Sequence, residues 1–196
     1  MADVAAQLSD LEWPVRTSRL LLRPAEERDE DAIWSYRRDE ETARWLSSWP
    51  TDRSGFHPSI EQPAEWAGTI VIELDGVVIG NVLVRIEDPW SQIEARAEAA
   101  ATQAEIGWVL HPDHVGLGYG TEVLEVVLRI CFERLGLRRV VAGCFAANTA
   151  SWRLMERLGM RREQHAVSDA LHRSGQWMDS FAYALLAEEW RARSQS

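Results

Sequence analysis

Only two cysteines occur in the 196 residues, and no apolar run approaches the length needed to cross a bilayer. Cys131 and Cys144 sit inside apolar stretches, "RICFE" and "VAGCFA". They read as buried free thiols of a reducing compartment, and a disulfide is not expected. The opening "MADVAAQLSD" has no basic segment followed by an apolar core, so no secretory signal is read and a cytoplasmic location is expected. Positive charge is also short. A formal net charge of -10 speaks against a nucleic-acid partner or an anionic membrane held by bulk electrostatics. It leans toward a cationic substrate, although an acidic surface serves solubility equally well. The histidines at 57, 111, 114, 165 and 172 lack metal-ligand spacing, so no metal is assigned. Internal repeats and low-complexity tracts are absent.

What is present suits an ordinary globular domain, 46% apolar and 27% charged, with length for a single core. "RLLLRPA" (19–25) reads as a strand ending at Pro24, followed by helices at 28–38 and 40–46 and an irregular loop over 47–67. "GTIVIELDGVVIGNVLVRI" gives two strands joined through Asp75-Gly76, a hairpin signal. Residues 88–102 are Ala/Glu-rich without an apolar stripe and read as an exposed excursion. "AEIGWVL" (104–110) is a strand, and a helix follows over about 119–135. In it Glu122, Glu125, Arg129 and Glu133 form one narrow polar stripe, so most of its circumference should be buried. "RRVVAGCF" is a strand, and 148–158 a helix that Gly159 ends. "MRREQHAV" and "WMDSFAYALL" read as a closing hairpin. The order predicts an α/β mixed sheet flanked by helices, with a parallel crossover between 104 and 145.

Between strand and helix stands "HPDHVGLGYGTE", with Gly116, Gly118 and Gly120 alternating. The dinucleotide fingerprint fails because Thr121 occupies its third glycine position, and the nucleotide-hydrolase loop fails because no lysine follows. What remains is either a tight turn or a loop whose backbone N–H groups receive a phosphate at a helix N-terminus. On the loop alone both readings stay open. Downstream, "NTASWRLMERLGM" places Ser151 on one helical face with Leu154, Met155 and Leu158. An inward hydroxyl needs a partner. Asn148, one turn earlier, reads equally as an N-cap.

"WVLHPDHVGLGYGTEVL" followed by "ANTASWRLMERLGM" resembles the GNAT superfamily of acetyl-CoA-dependent N-acetyltransferases, closest to the branch of ribosomal-protein N-terminal acetyltransferases. "TSRLLLRPAEERDEDAI" and "DSFAYALLAEEW" resemble the ends of that branch, so one domain over 1–196 with a core of about 16–190 is expected. The resemblance implies a sheet splayed near 104–110 and 138–145 and acetyl-CoA as co-substrate. It implies a pyrophosphate loop over Val115, Gly116, Leu117, Gly118, Tyr119 and Gly120, continuing to Thr121. Val115 stands where the family has Arg or Gln. Backbone at Trp108, Val109 and Leu110 would face the pantetheine arm and the acetyl carbonyl, Asn148 the cofactor arm, and Ser151 the sulfur. Other branches use a tyrosine where this chain has Met155.

The implied chemistry is direct attack of a primary amine on the thioester, with both substrates bound together. Glu105 is the candidate base, directly or through water, and is also readable as a structural carboxylate. Ser151 is the candidate proton donor to the thiolate, and Val109–Leu110 the donors to the carbonyl oxygen. The acceptor is a peptide N-terminus or a small amine, without nucleic acid or membrane, and a homodimer is compatible with such a fold. Trp34, Trp45, Trp49 and Trp66 border the expected acceptor groove and read mainly as core. Asp31, Asp39, Glu40 and Glu41 read as a solvated face that would also attract a cation, and Asp179 on the last strand reaches toward the acceptor. The rivals are a regulatory module that binds acetyl-CoA without turnover and a nucleotide-dependent enzyme.

Overall fold

The computed structural model describes Leu8 and residues 11–193, so most of the start read for a targeting signal lies outside the described residues. The strands are β1 (Val15–Arg16), β2 (Leu21–Pro24), β3 (Thr69–Leu74), β4 (Val77–Glu87), β5 (Gln103–Leu110), β6 (Arg139–Phe145), β7 (Arg161–Leu171) and β8 (Trp177–Leu186). The helices are α1 (Glu30–Arg37), α2 (Glu40–Ala43), α3 (Pro58–Glu61), α4 (Pro63–Ala67), α5 (Arg96–Ala99), α6 (Tyr119–Arg129), α7 (Thr149–Arg157) and α8 (Ala187–Arg193). One sheet runs in the order β1-β2-β3-β4-β5-β6-β8-β7. Every neighbouring pair is antiparallel except β5 and β6, which α6 connects as a parallel crossover.

The β3–β4 turn has Asp75 at φ 50° and Gly76 at φ 81°. Two left-handed residues match the twist of the strands they join. α6 buries Val123, Leu124, Val126, Val127 and Leu128, while Glu125 and Arg129 face solvent. Its apolar circumference packs with Leu154, Met155 and Leu158 of α7 against one sheet face. The other face carries a smaller cluster of Ile33 and Tyr36 from α1 with Val71 and Val109.

Four features differ from the sequence reading. The 47–67 loop contains α3 and α4 and is tied to α1 by Glu30, only 4% exposed. That carboxylate accepts from the Ser59 hydroxyl at 2.5 Å and the Ser59 amide at 3.2 Å, and meets His57 at 3.3 Å. The 88–102 excursion folds back on itself through Ala101 N–H donating to Asp88 at 2.9 Å, with α5 inside it. β1 extends the sheet by a two-residue edge strand. α8 follows β8 directly, because Trp190 stacks on Phe132 (5.8 Å) and donates to Glu133 at 2.9 Å.

β2, β3 and the start of α1 are held together by one buried cation. Arg23 donates to both Asp29 oxygens at 2.7 and 2.8 Å and to Glu73 at 2.7 and 2.9 Å. Burial alone would raise the Asp29 pKa, but hydrogen bonds from Arg23 and from the Glu26 amide, with the charges of Arg23 and Arg28, together outweigh it and hold it below the usual range. Removing the cation leaves two carboxylates with little solvent. Arg23→Met is expected to lower stability by about 3–5 kcal/mol, read as a shift of the urea midpoint at unchanged slope. Destabilisation below about 1 kcal/mol would show that the network is only a surface pair.

Candidate active site

Parallel pairing between β5 and β6 is confined to Gln103, Ala104 and Glu105 against Arg139, Val140 and Val141. Beyond these positions the two strands part. β5 stays paired on its other edge with β4 as far as Leu110↔Gly80, and β6 with β8 as far as Phe145↔Ser180. The outer edges hold while the inner edges open, so the strands bound a wedge with unpaired backbone on both walls.

A cavity of about 450 Å³ fills this wedge, walled by Gly107 and Trp108 on one side and Gly143, Cys144, Phe145 and Ser151 on the other. The absence of side chains at Gly107 and Gly143 keeps backbone exposed in the cleft. Ser151 enters from the first turn of α7, where Asn148 is the N-cap and its side chain accepts from the Ser151 amide at 3.3 Å. The Ser151 hydroxyl lies within hydrogen-bond reach of the Cys144 thiol. Burial pushes that thiol's pKa up, and the serine contact works in the opposite direction.

At the far end of β5 the chain turns through His111 and Pro112 into the glycine loop. Gly116 (φ 81°) and Gly118 (φ 84°) occupy the left-handed region, and Gly118 is the N-cap of α6. Side chains at either position would strain the backbone. Gly120 serves a different end: a Cβ there would stand 3.1 Å from Leu154, so it allows α6 and α7 to pack closely. The unpaired N–H groups of the α6 N-terminus and the cradle of the two left-handed glycines suit a phosphate group. Val115 and Leu117 leave this loop without a cationic side chain and are themselves exposed. Thr121 accepts from Arg157 at 3.2 Å.

Of the residues singled out by sequence, Trp108 and Ser151 line the cavity. The Val109 side chain is buried against α1 and β3 and its backbone faces Asn81 on β4, while Leu110, which ends β5, turns its backbone to the open edge. Glu105 occupies the last paired position before the opening. Its carboxylate forms an ion pair with Arg85, directly opposite on β4, which also meets Glu65 at 3.5 Å. Asp179 is engaged by His165 at 2.7 Å and by the Ser168 amide at 2.9 Å. Trp66 packs with the α1 cluster, and Trp45 alone of the four tryptophans reaches the cavity.

At the mouth of the cavity, sequence reasoning offered Trp45 as a groove residue and missed its partners Phe145 and His172. Trp45, Phe145 and His172 form a collar with ring centroids 5.5–5.9 Å apart. The tip of the β7–β8 hairpin is fastened to the end of α2, with His172 at 2.9 Å from the Arg44 carbonyl. Arg173 donates to the carbonyls of Ala43 and Leu46 at 2.9 and 2.6 Å. Outside the collar lies a depression of about 760 Å³ lined by Asp39, Glu40, Glu41 and Trp49 together with Arg44, which meets Glu41 at 3.6 Å, and Arg173. Those three carboxylates, read from sequence as a solvated face, thus border an entrance.

Comparison with known proteins places this arrangement. Residues 19–161 match the family model described as acetyltransferase (GNAT) domain. The uncharacterized N-acetyltransferase YnaD of Bacillus subtilis is 26% identical over 179 residues, 90% of this chain and 98% of that protein. A GNAT-family acetyltransferase structure from Bacillus anthracis superposes with a TM-score of 0.74 at 27% identity, covering 90% of this chain and all of that one. Mycobacterium smegmatis RimJ, solved in complex with CoA-disulfide, gives a TM-score of 0.69 at 26% identity, covering 87% of this chain and 83% of that one. The GNAT fold binds acetyl-CoA. The chain belongs to the GNAT family of N-acetyltransferases.

Proposed function

We propose that the protein transfers the acetyl group of acetyl-CoA to a primary amine, a peptide N-terminus or a small molecule, with both substrates bound together. One domain with a core of about 16–190 carries the whole site, in the cytoplasm and without nucleic acid or membrane, and a homodimer is compatible with it. The observation that carries the reading is Ser151 on the wall of the cleft between the parted strands. When bound, acetyl-CoA supplies an acyl group activated as a thioester.

The glycine loop from Val115 to Thr121 receives the pyrophosphate, and Asn148 with the backbone of Trp108 to Leu110 lines the cofactor arm. Of the Val109–Leu110 pair, the Leu110 N–H, on the open edge of β5, stabilises negative charge developing on the carbonyl oxygen, since the Val109 N–H faces β4. Ser151 supplies a hydrogen bond or proton to the sulfur as the thioester breaks. The attacking amine has a pKa of about 10, so it must give up a proton before it attacks. Glu105 takes that proton, directly or through water, once its hold on Arg85 loosens. That ion pair is also the observation that favours a non-catalytic acetyl-CoA binder, which a thiol-release assay with mixed amines distinguishes. The depression outside the collar carries three carboxylates against Arg44 and Arg173, a small acidic excess that suits an amine protonated until it reaches the base.

Cofactor preference is tested first by thermal shift. CoA at 100 times its Kd is expected to stabilise the protein by about 2.7 kcal/mol, with ATP and NAD giving far less. No shift with millimolar CoA would remove the cofactor assignment. Gly118→Val is expected to fold yet to bind CoA much more weakly, because the loop loses its left-handed residue. Unchanged CoA affinity in that variant would reduce the glycines to a turn.

Ser151→Ala separates catalysis from binding. Its CoA affinity should stay within a few-fold, whereas kcat falls roughly 10- to 1000-fold, as for loss of one proton donor or transition-state hydrogen bond. Full turnover by the folded variant, measured where chemistry limits the rate, would leave water as the proton source.

A further inference from the structure

All 21 basic residues of this chain are arginines, and none lies in the glycine loop. An arginine from elsewhere stands beside it. Arg19, just before β2, donates from Nη1 to the Leu117 carbonyl at 3.0 Å, and its guanidinium stacks 4.5 Å over the Tyr119 ring. Its Nη2 is the nearest group to the empty side-chain position of Gly118, 3.4 Å away. Glu122, in the first turn of α6, holds the guanidinium from behind at 2.7 Å to Nε and 2.6 Å to Nη2. A guanidinium has five N–H groups. Three are engaged here, which leaves one on each terminal nitrogen without a partner among the described residues. The Arg19 side chain is 44% exposed, and the Glu122 side chain 16%.

Glu122 needs this partner. A carboxylate in the first turn of a helix is favourable in itself, but beside a bound phosphate it would repel the ligand. Burial alone would raise its pKa. Hydrogen bonds from Thr17, Arg19 and Ser18 outweigh burial and hold it at about 2. It therefore stays ionised at neutral pH, and its charge is balanced only while Arg19 is docked. The segment Thr17-Ser18-Arg19 thus wraps the helix N-terminus and delivers a cation to the edge of the phosphate cradle.

We propose that Arg19 is a cofactor-binding residue. Its two free N–H groups meet the pyrophosphate of CoA and supply, from a segment 98 residues earlier than the loop, the cationic side chain that Val115 and Leu117 do not provide. The proposal rests on the acetyl-CoA reading above. Should the wild-type protein fail to bind CoA, that reading fails, and the comparison among variants below is not reached.

The rival is a purely mechanical latch that shapes the loop without touching the ligand. Arg19→Gln removes the charge, and its shorter amide keeps reach only to Glu122 from the place of Nε, so the rescue by Val115→Arg below separates the two. Calorimetric CoA affinity should fall about 10- to 100-fold in Arg19→Gln, the range for losing a charge-assisted hydrogen bond. The KM for acetyl-CoA should rise with kcat unchanged, and kcat/KM for acetyl-pantetheine, which lacks the pyrophosphate, should stay at the wild-type value. Adding Val115→Arg, at an exposed loop position, should restore CoA affinity without restoring the contact to the Leu117 carbonyl. Should Arg19→Gln bind CoA as tightly as the wild type, or lose CoA and acetyl-pantetheine alike, the proposal is overturned. Full recovery on adding Glu122→Gln to Arg19→Gln would also overturn it, because Arg19 would then act only by neutralising the carboxylate. Thermal unfolding of each variant without ligand separates these effects from loss of fold.

Discussion

The parallel contact between β5 and β6 stops after three residue pairs, and the cleft exists because it stops there. A sheet that closed fully would satisfy every backbone group and leave nothing for a ligand to bond. Here β4 and β8 hold the outer edges of the two strands, with eight and seven register pairs, so the inner edges can part without fraying. The open backbone must then be satisfied by solvent or ligand. The crossover helix α6 connects the same two strands, so the glycine loop and the cleft share one origin in the topology.

The two ends of the cleft are controlled by different chemistry. At the α6 end, left-handed glycines and the Arg19 guanidinium surround a helix N-terminus. At the mouth, three carboxylates, two arginines and an aromatic collar face solvent.

The stretch from 104 to 158 was legible in sequence because its determinants are local. Alternation marked β5, the polar stripe marked the exposed side of α6, and three- and four-residue spacing put Ser151 with Leu154, Met155 and Leu158. What escaped was set by partners far away. Glu30 looked like one charge on a polar helix until Ser59 closed over it. α8 is fastened by Trp190 to Glu133, 57 residues earlier. The collar draws Trp45, Phe145 and His172 from three separate segments. Periodicity tells which side of an element is buried and is silent on what buries it. Glu105 stands at the last paired position before the opening, and its engagement by Arg85 depends on strand register, which single-residue reading does not deliver.

The place of β8 in the sheet also orders the events of folding. β6 is held to β5 at three positions only, and its long antiparallel contact is with a strand made about forty residues later, which then also carries β7 at its far edge. During synthesis β1 to β5 can zip as sequential neighbours, a set of low-separation contacts that favours speed. The wall bearing Cys144 and Phe145 has no firm neighbour until the last strand leaves the ribosome and slots between β6 and β7. The passage for substrates is therefore among the last features to form, and an incompletely made chain presents an unpaired β6 edge.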